Sequence, residues 1–280
     1  MRGEKKEGMA TFMYTTVPGR LLLKFIQMSH ADRLIVRFLK SRWSVPFLNW
    51  YRKHYEVTLS KEQESYQSFR DFFARKRKSS VIDITPDHLI SPCDGWLSLY
   101  SVTEESVFSI KGSHYRISDF LKDDTLARNY DGGTCLVFRL CPEDYHHYLY
   151  IDDGYQGMNH FIPGMLHSVQ PVACSSYPVY TLNRRSWCLM ATEHFGPVVQ
   201  TEIGALIVGG IVNYFENTRF SRGMEKGHFE LAGSTIVLLF EPGRIRLLPE
   251  IENGMTGDRE VRVEMGQRIG ERKAGGSFSS

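Results

Sequence analysis

The chain has 280 residues, 42% of them apolar and 24% charged, the composition of a folded protein with room for one large domain or two small ones. Its formal charge of +2 conceals a split: residues 1–80 carry 17 Lys and Arg against 7 Asp and Glu, and the other 200 carry 17 against 25. No run of about eighteen apolar residues exists, which excludes a membrane-spanning helix. Five irregularly spaced cysteines without a CxxC pair exclude a zinc site and a disulfide framework.

The first predicted elements lie in "GRLLLKFIQMSHADRLIVRFLKSRWSVPFLNWYRKHY", residues 19–55. Leu21, Leu22, Phe25 and Ile26, then Leu34, Ile35, Phe38 and Leu39, recur at the spacing of amphipathic helices. Breaks are expected at residues 27–32 and at Pro46. Trp43, Trp50 and Tyr51 stand beside Arg42, Arg52 and Lys53, a mixture suited to a lipid headgroup interface as well as to ordinary core helices. A further short helix is expected around Phe69, Phe72 and Phe73, closed by the basic run Arg75 to Lys78. Basic blocks of this kind fit an anionic partner. With no zinc knuckle or RNA-binding aromatic signature present, nucleic acid is set aside and an acidic membrane surface retained.

From about residue 86 the texture changes to short β-rich stretches, "WLSLYSV", "CLVFRLC", "EIGALIVGGIVNYF", "STIVLLF" and "EVRVEM", divided by Gly, Pro, Asp and Asn turns. The expected fold is α+β: a helical, basic, membrane-associating region over 1–82, then a β-rich domain over 83–280. The tail "ERKAGGSFSS" is small and polar.

Four stretches carry candidate chemistry. "SPCDGWLSLY" sets Asp94 in a turn before a strand. "FRLCPEDYHHYLYIDDG" sets His146 after an apolar strand and a turn. "IPGMLHSVQP" has the character of a substrate-lining loop. "RGMEKGHFELAGSTIVLLFEPG" opens a greasy strand on Gly233, Ser234 and Thr235. A serine hydroxyl can attack the carbonyl before it, and a glycine there lets that carbonyl tilt. The ester formed can eliminate and hydrolyse to leave a ketone at the new N-terminus.

Together, in this order, these stretches resemble the phosphatidylserine decarboxylase family, over about Tyr66 to Gly270. The resemblance implies a proenzyme that cuts itself between Gly233 and Ser234, giving a β chain of 1–233 and an α chain of 234–280. It implies that Ser234 becomes a covalent pyruvoyl cofactor, which forms a Schiff base with phosphatidylserine and releases CO2 and phosphatidylethanolamine. Asp94 and a histidine would complete a triad used once with Ser234. His146 matches the first histidine of the family's Asp-Tyr-His-Arg-x-His pattern. The pattern then departs: His147 replaces the arginine and Leu149 the second histidine. His146 is the favoured base, with His147 and His167 as alternatives. His147 is expected to face solvent or substrate, and His160, His194 and His228 to be ordinary structural residues. Lys111 and Lys226 are charged candidates near the site, with solvated surface positions expected for both. Partners implied are phosphatidylserine, an anionic membrane and the chain's own two fragments, with a homodimer left open. The location expected is the cytoplasmic face of the cell membrane, held peripherally. Three other readings stand beside this one: an uncut lipid-binding homologue, a decarboxylase of a related serine lipid, and a serine hydrolase. The last lacks a G-x-S-x-G elbow.

Overall fold

The computed structural model describes residues 8–28, 31–55, 57, 66–75, 81–103, 105–110, 113–205, 210–230, 234–255 and 259–273. Among them the fold is α+β and mostly sheet. A nine-stranded antiparallel sheet runs Thr218–Phe220, Gly154–Gln156, Arg185–Thr192, Gly196–Ile203, Ser234–Phe240, Thr134–Leu140, Gly95–Ser101 and Val261–Val263, with His160–Ile162 also paired to Arg185–Thr192.

The strand Ser234–Phe240 lies mid-sheet and is buried at every position, which explains its unbroken apolar run: both faces are covered. Ile236, Leu238 and Phe240 pack with Leu136, Phe138 and Leu140 on one face. Val237 and Leu239 pack with Cys135, Val137 and Val199 on the other. Burying each such side chain contributes roughly 1.5–3 kcal/mol. Against the Ser234 face lies a three-stranded sheet of Ile211–Asn213, Glu225–Phe229 and His147–Leu149. A third sheet joins His88–Ile90, Arg268–Arg272 and Ile245–Leu247.

The N-terminal helices are Gly8–Thr15, Val17–Met28, Ala31–Leu39 and Val45–Tyr55, followed by the short helix Phe69–Phe73. Met13, Tyr14 and Leu23 belong to the same core as Val137 and Val237, so the first two helices are part of the main body. Leu39, Leu48, Tyr51, Phe69, Phe72 and Phe73 form a smaller aromatic core. Two expectations are corrected here. Pro46 lies in the first turn of the helix Val45–Tyr55 instead of ending one, a position where its missing N–H costs nothing. Tyr51 is buried and donates to the Pro142 carbonyl at 2.6 Å, which ties this helix to the turn after Thr134–Leu140 and keeps the ring from a headgroup layer. Trp43 and Trp50 do lie exposed, at 83% and 54%.

Candidate active site

Ser234 is the first residue of its strand and stands opposite Leu140, while Thr235 pairs with Arg139 on one side and Ile203 on the other. Alternation puts the Ser234 side chain on the face of Ile236 and Leu238. Its Oγ is buried and has no hydrogen-bond partner among the described residues. Gly233 and Lys111 lie outside the described residues.

Asp94 closes the turn that feeds Gly95–Ser101. The backbones are tight here, since a Cβ on Gly95 would meet the Arg139 carbonyl oxygen at 2.8 Å. Asp94 is buried and accepts the Met265 N–H at 2.8 Å. Because Trp96 pairs with Arg139 and Arg139 with Thr235, Asp94 and Ser234 sit at one end of the sheet, two strands apart. Two strand spacings amount to about 10 Å.

His146 enters from the turn that leaves Leu140. It is fully buried, its ring 4.2 Å from that of Phe73. Nδ1 lies 2.9 Å from the Asp144 carbonyl, which can only accept, so hydrogen-bond chemistry assigns the proton to Nδ1. Nε2 then carries a lone pair and has no partner among the described residues. Burial pushes the His146 pKa down to about 3, opposed by the Asp144 hydrogen bond and weakly by the charge of Asp94. The ring is therefore a neutral base at physiological pH.

His147 faces the other way, as strand alternation requires, but it is neither open to solvent nor poised for proton transfer. It is buried, with Nδ1 2.5 Å from Glu225 and Nε2 3.2 Å from the Ala74 carbonyl. It stacks between Tyr145 at 4.6 Å and His228 at 5.0 Å. Both nitrogens lie against acceptors. Leu149 is buried with Tyr145 and Met265, and its N–H donates to the Pro92 carbonyl at 2.8 Å. The position of the missing second histidine thus lies beside the turn that carries Asp94, filled with hydrocarbon.

Lys226 is corrected from surface to core. It is fully buried, with Nζ 2.8 Å from Glu202 and 2.8 Å from Asn213. Burial works against its charge, but Cys188 and Glu202 hold its pKa above the ordinary value. Glu202 pairs across the sheet with Ile236, which sets this ion pair one row from Ser234 on the same face. Sequence reasoning did not single out Glu202 or Asn213, since a buried acid and amide leave no local signal. His167 is buried and bonded to Tyr14 at 3.2 Å. It packs with Tyr14 and Tyr177 of the core on the opposite face of the sheet, and its Nδ1 is taken up by Tyr14. His194 pairs with Asp152 at 2.8 Å and His160 stacks on Trp187 at 4.0 Å, both structural. Among the described residues no group of three or more His, Cys, Asp and Glu is placed to hold a metal.

A sequence profile described as phosphatidylserine decarboxylase matches residues 69–271. The chain is similar to phosphatidylserine decarboxylase proenzyme 2 of Clostridium acetobutylicum, 38% identical over 270 residues that cover 95% of this chain and 92% of that protein. It is 34% identical to the phosphatidylserine decarboxylase proenzyme of Desulfitobacterium hafniense over 287 residues, covering 95% and 96%. The proenzyme of Ruminiclostridium cellulolyticum is 36% identical over 267 residues, covering 92% and 89%.

Proposed function

Because the chain belongs to the phosphatidylserine decarboxylase family, we propose that it is made as a proenzyme, cuts itself between Gly233 and Ser234, and converts phosphatidylserine to phosphatidylethanolamine and CO2. One observation carries the assignment of residues: a buried Ser234 Oγ at the same sheet end as Asp94, and a buried His146, with neither Oγ nor Nε2 partnered among the described residues.

In the cut, Ser234 Oγ attacks the Gly233 carbonyl carbon and passes its proton to His146 Nε2. The C–N bond breaks as that proton reaches the Ser234 nitrogen, leaving an ester. Loss of the Ser234 α-proton expels the Gly233 carboxylate, and hydrolysis of the resulting enamine releases ammonia and leaves the ketone. Asp94 acts on His146 through its charge, which favours the protonated ring at the moment it forms. Neighbours of Ser234 on its face, Ile236 and Leu140, are apolar, and among the described residues the hydroxyl gives up no hydrogen bond when it is lost. A pyruvoyl group therefore fits at position 234. When formed it supplies an electrophilic ketone for the substrate amine and a sink for the electrons left by CO2. His146, buried and neutral, serves as the proton carrier.

The residue 234–280 fragment stays in place after the cut. Its first strand is hydrogen-bonded on both edges, to Gly196–Ile203 and to Thr134–Leu140, both in the larger fragment. Residues 1–82 serve as the membrane-associating region. Leu21, Leu34 and Trp43 stand 64%, 73% and 83% exposed on its helices, among Arg20, Lys24, Arg37 and Arg42. No helix among the described residues is long and apolar enough to cross a membrane, so the reading is a peripheral protein. The five free thiols suit a reducing compartment, hence the cytoplasmic face.

Intact mass spectrometry of the purified protein tests the reading. Fragments 1–233 and 234–280 are expected, the latter blocked to Edman degradation, and Ser234→Ala should stay whole and inactive. A chain still joined across 233 and 234 that releases CO2 from phosphatidylserine overturns it.

A further inference from the structure

A pocket of about 420 Å3 lies between the helix Val17–Met28 and the segment from Met165 to Leu182. That volume takes a lipid chain or a small headgroup, not a whole phospholipid. Val17, Leu21, Leu23, Met165 and Leu182 give it apolar walls, and Arg20 and Lys24 line it as well. Val17, Arg20, Leu21 and Lys24 follow the i, i+3, i+4, i+7 spacing of one helix face. Both cations are solvent-exposed, and neither makes an ion pair among the described residues. Two cations over a hydrocarbon cleft match an amphiphile with an anionic head.

The inner wall is His167, which bonds to Tyr14 and stacks on Tyr177 at 4.9 Å. Burial lowers the His167 pKa, so it adds no charge at neutral pH, and Arg20 and Lys24 alone meet an anion. Leu23 belongs to the core of Val137 and Val237, whereas the Ser234 side chain points to the face of Ile236 and Leu238. The pocket is therefore across the sheet from the reacting hydroxyl. Val17 and Leu21 are also 65% and 64% exposed and continue into Leu22 and Phe25, so a lipid can enter sideways from a bilayer.

We propose that this pocket binds one anionic phospholipid, its acyl chain against Leu21, Leu23 and Met165 and its phosphate on Arg20 and Lys24, as a site separate from the one that receives the substrate headgroup. Occupancy clamps the helix Val17–Met28 to the sheet and holds the enzyme on an acidic bilayer.

The test uses the processed full-length protein and dihexanoyl-phosphatidylglycerol below its micellar concentration, a lipid without a serine amine to react. Calorimetry should show one lipid per chain. Arg20→Gln with Lys24→Gln should weaken binding about tenfold or more, and Met165→Trp, which fills the cleft from an exposed position, should abolish it with the unfolding midpoint unchanged. With dihexanoyl-phosphatidylserine as substrate, the glycerol lipid should leave KM unaltered. Absence of saturable binding, equal binding of inorganic phosphate, or a competitive rise in KM would each overturn the proposal, the second by revealing a bare anion site and the third by placing the pocket on the substrate path. A protein found uncut at position 233 that still binds the lipid refutes the decarboxylase reading and supports the pocket.

Discussion

His146 and His147 are adjacent in sequence and opposite in surroundings: the first is fully buried with Nε2 unpartnered among the described residues, and the second has both nitrogens against acceptors. Self-cleavage should follow this division. His146→Ala should slow the appearance of the two fragments by about 10²–10⁴-fold, the usual contribution of a general base. His147→Gln should cut at a rate within a few-fold of the parent. Gel time courses after synthesis decide it, and a His147 variant that alone stays whole would move the base to the other side of the strand.

Leu149 occupies hydrocarbon beside Met265, whose N–H is the donor to Asp94. Leu149→His should put an imidazole within reach of that carboxylate and restore cleavage to a His146→Ala background. The cost is a polar ring in an apolar cluster, about 1–3 kcal/mol of stability. If the double variant cuts no faster than His146→Ala, Asp94 does not serve a histidine from that position.

Burial sets the pH response. The pKa values of His146 and His228 are pushed down to about 3 and about 4, with burial the largest cause of each. Between these values and the unfolded value near 6.5, the native state binds fewer protons than the unfolded chain. Their contribution is complete above pH 6.5 and is lost as pH falls toward 4 and then 3. The slope is up to about 1.4 kcal/mol per pH unit for the fully buried His146, and smaller for the half-buried His228, where solvent screens the effect. Urea unfolding of the uncut Ser234→Ala protein should weaken from pH 7 to 5, and His146→Gln should flatten that fall. The cleavage rate itself should show no inflection near 6.5, because the base is already neutral.

Much of the fold was legible because its signals are local. Short β-rich runs between turns marked Gly95–Ser101, Thr134–Leu140 and Ser234–Phe240 as strands, and the Phe69, Phe72, Phe73 spacing marked one helix face. Asp94, His146 and Ser234 were legible only as a combination of motifs, and the register that sets Asp94 and Ser234 at one sheet end joins strands up to 140 residues apart. Lys226 was misread because a lysine between a glutamate and a glycine reads as surface. Its partners Glu202 and Asn213 lie on other strands, beyond any local pattern. Tyr51 was misread for the same reason, since its acceptor is Pro142, 91 positions away.

The buried Glu202–Lys226 pair should behave as a unit. Removing only the cation, as in Lys226→Met, leaves an unpaired carboxylate in the core and should cost about 3–5 kcal/mol. Glu202→Gln with Lys226→Met removes both charges and should recover most of that loss. Denaturant unfolding of the four members of this cycle in the Ser234→Ala background measures the coupling. Additive losses would show that the two charges do not depend on one another.

Membrane attachment is best tested at exposed positions, because deleting the N-terminal helices would also remove Met13, Tyr14 and Leu23 from the main core. Trp43 and Trp50 are 83% and 54% exposed, and neither lines the pocket. Inserted at a headgroup layer, each contributes about 1 kcal/mol or more from apolar burial. Trp43→Ser with Trp50→Ser should therefore lower partition onto vesicles containing phosphatidylserine by about tenfold or more, while cleavage at position 233 proceeds as before. Sedimentation with vesicles at low and high salt separates the contributions: the aromatic loss persists in salt, and the attraction of Arg37, Lys40 and Arg42 to acidic lipid fades. Unchanged partition in the double variant would move the docking surface away from this helical face.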